Sequence, residues 1–187
     1  RQTRRRESLS EAAVAVRTIL RIGDPRLRQV SEPVDEFDTP ELHQLIEDMF
    51  DTMAAADGAG LAAPQIGVLK RIMIFGIESS LRYQDVEAVP TTVLINPEFE
   101  VVDAARPGFW EGCRSVPGKP GNVERPAGLR YRGQDQHGSR VEREADGFHA
   151  IVFQHEYDHL DGILYPDRLE DTTKFGFVDE LADAGIS

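Results

Sequence analysis

Cysteine is almost missing from this 187-residue chain, which holds only Cys113. One cysteine excludes an internal disulfide and suits a reducing compartment, where a lone thiolate survives. Long apolar runs are missing too: none approaches the ~20 residues needed to cross a bilayer, so a soluble protein without a membrane partner is expected. There is no repeat or low-complexity tract, and 187 residues with 40% hydrophobic composition suffice for one substantial core. Positive charge is in short supply, with 21 Lys and Arg against 33 Asp and Glu and a net charge of −12. That balance argues against direct nucleic-acid binding, which depends on neutralising phosphates. It also leaves a contact with the ribosome without visible support. The cations that exist are concentrated at the start, where Arg1, Arg4, Arg5, Arg6 and Arg17 face only Glu7 and Glu11. We therefore expect residues 1–18 to form a flexible basic arm ahead of a single acidic catalytic domain over 19–187. The two glutamates of the arm weigh against a transit peptide.

What the chain does have is His155-Glu156-Tyr157-Asp158-His159. An HExxH run on a helix brings both imidazoles to one face about a turn apart, where they can share a metal while the glutamate reaches a water. Phe148, Ile151 and Val152 continue that face as an apolar stripe toward the helix start, which predicts a half-buried helix. Asp146-Gly147 is a start signal, and Gly162 stands where a left-handed stop is needed. A hydrolytic metal normally has three protein ligands and an open position, so a third ligand is required. Three places can supply it. The extension HExxHxxGxxH has its glycine here, Gly162, but Tyr165 where its third histidine belongs. Glu180 is a carboxylate on a later segment, and Cys113, in Glu111-Gly112-Cys113-Arg114-Ser115, offers a thiolate.

Gly58-Ala59-Gly60-Leu61-Ala62-Ala63-Pro64-Gln65, then EGCxS at Glu111 to Ser115, then QHExDHLxG at Gln154 to Gly162, together resemble the three signature motifs of peptide deformylases, in order. The resemblance extends over roughly residues 19 to 170, including Ile19-Leu20-Arg21, Asp24 to Arg28 and Glu144 to Gly147. It implies Cys113, His155 and His159 as metal ligands, with Glu156 as the catalytic carboxylate. It implies ferrous iron as the usual metal, with zinc, nickel or cobalt as substitutes, and removal of formate from N-formylmethionyl peptides on nascent chains. By the same resemblance the Gln65 side-chain amide and the Arg114 backbone N–H serve the developing oxyanion, where each donor is worth ~3–4 kcal/mol. Substrate contacts are expected from Gly58, Ala59, Gly60, Leu61, Phe109, Glu111, Gly112, Phe148, Ile151 and Val152. The two glycines allow close approach of an extended peptide, and the apolar residues form a methionine pocket. A thiolate ligand should make the hydroxide a better nucleophile and the metal a weaker Lewis acid, which favours a small acyl group such as formyl. Two positions depart from the family: Arg114 stands where leucine is common, and Pro120 where many members place an arginine.

Thr39-Pro40-Glu41 opens a helix whose apolar residues, Leu42 to Met53, recur at helical spacing until Asp57-Gly58. Strands are expected at 71–77, 91–95, 98–102, 129–133 and 139–144, the second and third separated by Asn96-Pro97. The fold class is α+β, a peptide deformylase-like fold of short antiparallel strands around a C-terminal helix carrying HExxH. His43, His137 and His149 lack ligand-like neighbours in sequence and read as structural or exposed. Bacterial cytoplasm is the expected location, with an organelle matrix as alternative.

Overall fold

The computed structural model describes residues 15–77 and 87–186. Of the basic arm, residues 1–14 lie outside the described residues. Arg17 is held against the first helix, its guanidinium 2.6 Å from Asp48 Oδ2 and its backbone N–H donating to Thr52 Oγ1.

Helix α1 spans Pro40–Ala55, β1 Gly60–Ala62, β2 Ile72–Ile77, β3 Val89–Asp103, β4 Gly108–Cys113, β5 Val116–Glu124, β6 Gly128–Gln134 and β7 Arg140–Asp146; α2 (Gly147–Leu160) and α3 (Val178–Asp183) follow. An antiparallel sheet runs β1-β2-β3-β6-β7, and β4 pairs with β5 in a separate hairpin. The main sheet is a middle layer. Alternation along β2 sends Ile72 and Ile74 toward Leu42, Ile46 and Met49 of α1, while Met73 and Phe75 face Ala150, Val152 and Phe153 of α2. Both faces are dry, with Met49, Met73, Phe75 and Phe153 fully buried.

The start of α1 follows the sequence signal, with Thr39 Oγ1 accepting from Leu42 N–H at 3.2 Å and Pro40 in the first turn. Asn96-Pro97, expected to separate two strands, bends one long strand instead. Asn96 takes a left-handed φ of 51°, its side-chain amide grips the backbone of Val34, and pairing with β6 resumes at Glu98 after a shift of register. The β4–β5 hairpin was not expected, because Val116–Glu124 has two prolines, two glycines and no apolar alternation. Val123 and Val116 close it against Tyr165, with Leu169 and Phe175 packed behind.

Helix α2 is an interior helix rather than a half-buried one: nine of its fourteen residues are buried, five of them polar. Its C terminus is closed by Arg71, which donates to Leu160 O at 3.2 Å and pairs with Asp161. Gly162 then turns the chain at φ 72°, so close to the Pro25–Arg28 turn that a Cβ would lie 2.5 Å from Arg28 O. Gly118 has nearly the same φ, 73°, with nothing within 4 Å of its Cβ position. Gly118→Ala should therefore cost only the left-handed strain of about 1 kcal/mol. Gly162→Ala adds a backbone collision and should lose at least about 3 kcal/mol in urea denaturation; equal losses for the two would refute the collision.

Candidate active site

Cys113 ends β4 at the hairpin turn, and His155 and His159 lie one turn apart on α2. Their ligand atoms all fall within 4.8 Å of one another, with Cys113 Sγ 3.5 Å from His159 Nε2. His155 presents its other nitrogen, Nδ1, to Glu111 Oε1 at 2.8 Å, leaving Nε2 for a metal. Glu180, the alternative third ligand, sits exposed on α3 and belongs to no group of converging ligand atoms among the described residues.

Behind His155 runs a buried chain of charge. Glu111 takes a two-pronged pair from Arg125, at 2.7 and 3.1 Å, and Arg125 Nη1 reaches Asp158 Oδ2 at 2.9 Å. Asp158 in turn holds Arg168 at 2.9 Å. Glu111, expected to touch substrate, borders the cleft, yet its carboxylate is committed to His155 and Arg125. Burial works against its ionised form, but His155 and Arg125 outweigh burial and hold its pKa below the usual range. Arg125 and Arg168 carried no sequence signal, and although Asp158 lies inside the HExxH motif, nothing in a lone arginine 33 residues before it marks the pair.

Burial likewise opposes the charged form of His155, yet Cys113, Glu111 and Glu156 around it raise its pKa well above normal. His159 is pushed well below normal by burial, then by His155 and Arg125. A proton held among a thiol, a carboxylate and an imidazole is what a cation displaces on binding. His159 Nδ1 and Glu156 Oε2 are moreover buried with no hydrogen-bond partner among the described residues. The donor set thus fits zinc, iron, nickel or cobalt.

These groups open on a cleft of about 490 Å³. All ten residues expected to touch substrate border it, from Gly58, Ala59, Gly60 and Leu61 through Phe109, Glu111 and Gly112 to Phe148, Ile151 and Val152. Gln65, Cys113, Arg114, His155 and Glu156 border it as well, while His159 lies deeper, 2% exposed. Met53, Trp110, Lys119 and Val178 are additions that sequence reasoning did not reach. Phe109 and Phe148 pack ring to ring at 5.6 Å, and Leu61 turns its side chain into the α1 core, leaving its backbone on the edge strand β1. Gln65 is buried and fixed at both ends: Oε1 accepts from Ala62 N–H at 3.0 Å, and Nε2 donates to Ser115 Oγ at 3.1 Å and to Cys113 Sγ at 3.5 Å.

A sequence model of the family described as polypeptide deformylase matches residues 16–175. The chain belongs to the polypeptide deformylase family. It is 59% identical over 166 residues to peptide deformylase 2 of Ralstonia nicotianae, covering 89% of this chain and 94% of that protein. To peptide deformylase 2 of Bordetella bronchiseptica it is 55% identical over the same length. Among solved structures, the Met-Ala-Ser-bound class I type b peptide deformylase of Acinetobacter baumannii superposes with a TM-score of 0.80 at 34% identity, covering 83% of this chain and 99% of that one. The Synechococcus elongatus peptide deformylase in complex with actinonin gives a TM-score of 0.77 at 35% identity, covering 100% of this chain and 95% of the other. Deformylases are metal-dependent hydrolases that remove the N-formyl group from nascent peptides, and the α+β fold expected from the motifs is the one observed.

Two consequences of the geometry can be measured. A Cβ on Gly60 would lie 2.8 Å from Glu156 Oε1 and 2.9 Å from its Cγ. The glycine long expected to admit a peptide thus also leaves room for the carboxylate. Gly60→Ala should cut kcat by at least about a hundredfold, the scale of a misplaced acid–base group, while metal content stays intact; full activity would show that Glu156 does not need that space.

Burial pushes the pKa of Glu156 up to about 7, with His155 and Arg125 opposing and Glu111 assisting. In the metal-free protein a carboxyl raised from 4.5 to about 7 contributes stability that is complete below pH 4.5 and lost as pH rises through 7. Glu156→Gln removes that loss. Urea midpoints of the metal-free proteins should coincide near pH 4.5 and favour the variant by on the order of 3 kcal/mol at pH 8. A difference that does not grow with pH would contradict a buried, raised carboxyl.

Proposed function

We propose that this cleft hydrolyses the formyl amide of N-formylmethionyl peptides through Cys113, His155 and His159 as metal ligands and Glu156 as the proton carrier. The observation that carries this reading is the convergence of one sulfur and two imidazoles beside a buried carboxylate, Glu156. Ferrous iron is the metal we assign in the cell, with zinc, nickel or cobalt able to replace it. When bound, such a cation supplies hydroxide near neutral pH by lowering the pKa of water, and it polarises the acyl oxygen.

The remaining work falls to the chain. Glu156 accepts the proton of the attacking water and delivers it to the departing amine, so that formate and a free amino terminus leave together. The Gln65 amide, already oriented by Ala62 and Ser115, and the Arg114 backbone N–H face the charge that develops on the former carbonyl oxygen. An extended peptide pairs with the free edge of β1 over Gly58 to Leu61. Its methionine side chain fits among Phe109, Phe148, Ile151, Val152 and Ala59, where apolar contact rather than hydrogen bonding fixes it. Substrates are the formylated ends of nascent chains, encountered in a bacterial cytoplasm.

The test is an anaerobic assay of a formyl-Met-peptide beside its acetylated analogue, with metal analysis of the same samples. The wild type should release formate rapidly and acetate at least about a hundredfold more slowly. Cys113→Ser should lose metal and activity together, and Glu156→Gln should keep metal while losing about 10²–10⁴-fold in rate. A Cys113→Ser enzyme with normal metal and turnover would overturn the ligand set, and equal acetate release would overturn the substrate.

A further inference from the structure

Outside the cleft, three side chains from separate segments meet at one point. Asp38 lies in the turn before α1, His43 in the first turn of α1, and His137 in the turn between β6 and β7. His43 Nε2 is 2.8 Å and His137 Nδ1 2.7 Å from the same oxygen, Asp38 Oδ1. The two rings are 5.0 Å apart, and the three potential ligand atoms lie within 4.8 Å of one another. None of the three residues borders the cleft.

The backbones that carry them are fixed independently of the side chains. Asp38 N–H donates to Gln136 O at 2.8 Å, binding one turn to the other. Asp135 Oδ1 closes the β6–β7 turn by accepting from the N–H groups of His137 and Ser139, both at 2.9 Å. Gly138, at φ 80°, brings that turn to within 3.4 Å of Phe37, measured from the position of its absent Cβ. Little backbone ordering therefore remains for a ligand to impose.

We propose that Asp38, His43 and His137 form a second binding site, for a divalent transition-metal ion, independent of the catalytic centre. Two imidazole nitrogens and one carboxylate oxygen suit zinc, nickel or copper(II), and the nitrogens disfavour calcium and magnesium. At metal–ligand distances of about 2.0–2.1 Å, a tetrahedral set places its ligand atoms about 3.3 Å apart. The present 2.7 and 2.8 Å separations must widen by about half an ångström, and side chains exposed by 34% (His43), 56% (His137) and 63% (Asp38) have the freedom to do so. His43 would then carry its proton on Nδ1 and His137 on Nε2, with water completing the coordination. The acidic chain, at −12, favours a cation over an anion here. An ion so placed ties the start of α1 to the β6–β7 turn, 94 residues later in sequence from His43 to His137, and stabilises the native state by linkage.

The experiment uses the nickel-loaded enzyme, titrated with zinc, with bound nickel and zinc both counted by mass spectrometry after desalting and the melting temperature followed in parallel. The wild type should take up one zinc beyond its nickel, with a rise in melting temperature. His137→Ala and His43→Ala, which leave the catalytic residues untouched, should bind that zinc at least about tenfold more weakly and lose the rise, with unchanged nickel and unchanged deformylation. In a Cys113→Ser background the site should persist, and cobalt bound there should lack the charge-transfer band of a thiolate ligand. Zinc uptake and melting shift equal in the wild type and both histidine variants, or no uptake beyond the nickel, would overturn the proposal. The outcome is separable from the catalytic reading, because neither histidine enters it.

Discussion

The two ion pairs that Arg125 makes, with Glu111 and with Asp158, are the constraint on which the rest of the molecule rests. Helix α2 must bring two imidazoles and a carboxylate into the interior, and His155, the imidazole that faces the hairpin, is desolvated against charged partners that offset the cost. Glu111 and Asp158 lie on the same buried guanidinium, one from β4 and one from α2, so a single side chain welds the hairpin to the helix. Removing one member of such a set leaves the others buried and uncompensated, a cost of about 3–5 kcal/mol. The same chain ends on His155 Nδ1, so the weld that stabilises the fold also fixes the ring orientation of the imidazole proposed as a metal ligand. Stability and site geometry are one structure here.

Given that weld, the layered fold supplies the remaining positions. The sheet stands between α1 and α2, and its first strand, β1, is an edge. An edge strand normally invites unwanted pairing. Here the edge borders the cleft and passes so close to the Glu156 side chain that a Cβ on Gly60 would lie 2.8 Å from its Oε1. The aromatic stack of Tyr131 on Phe153 at 4.6 Å, with Phe99 and Tyr157 at its margin, keeps α2 from sliding along the sheet.

The legible parts of this molecule are those whose physics is local. Thr39-Pro40 announces a helix because a cap and a proline act within one turn, and HExxH announces a site because four residues of helix suffice to align two imidazoles. His149 is structural, as read, bonded to the Tyr131 hydroxyl at 2.9 Å. Asn96-Pro97 misled because a turn signal and a bulge share the same left-handed asparagine, and only the partner strand distinguishes them. The β4–β5 hairpin was invisible because its pairing depends on Tyr165 and Phe175, which lie some fifty residues away. Arg125 with Asp158, and Asp38 with His43 and His137, are contacts made by topology alone; a single sequence carries no mark of them.

Arg114 and Pro120, the two positions read in the sequence as departures from the family pattern, both border the cleft. Arg114 occupies the two-residue turn between β4 and β5, so its backbone position is set by the hairpin rather than by the side chain it bears. The guanidinium reaches the Asp57 carbonyl at 3.4 Å, outside the ligand cluster. A leucine and an arginine can thus present the same N–H. Pro120 lies within β5, and its carbonyl accepts from Gly176 N–H at 3.4 Å, which seats the C-terminal segment. That segment brings Phe177 beneath the Lys119 ammonium at 4.7 Å and Val178 to the cleft wall. Lys119 thus keeps a positive charge on this side of the cleft, steadied by an aromatic face.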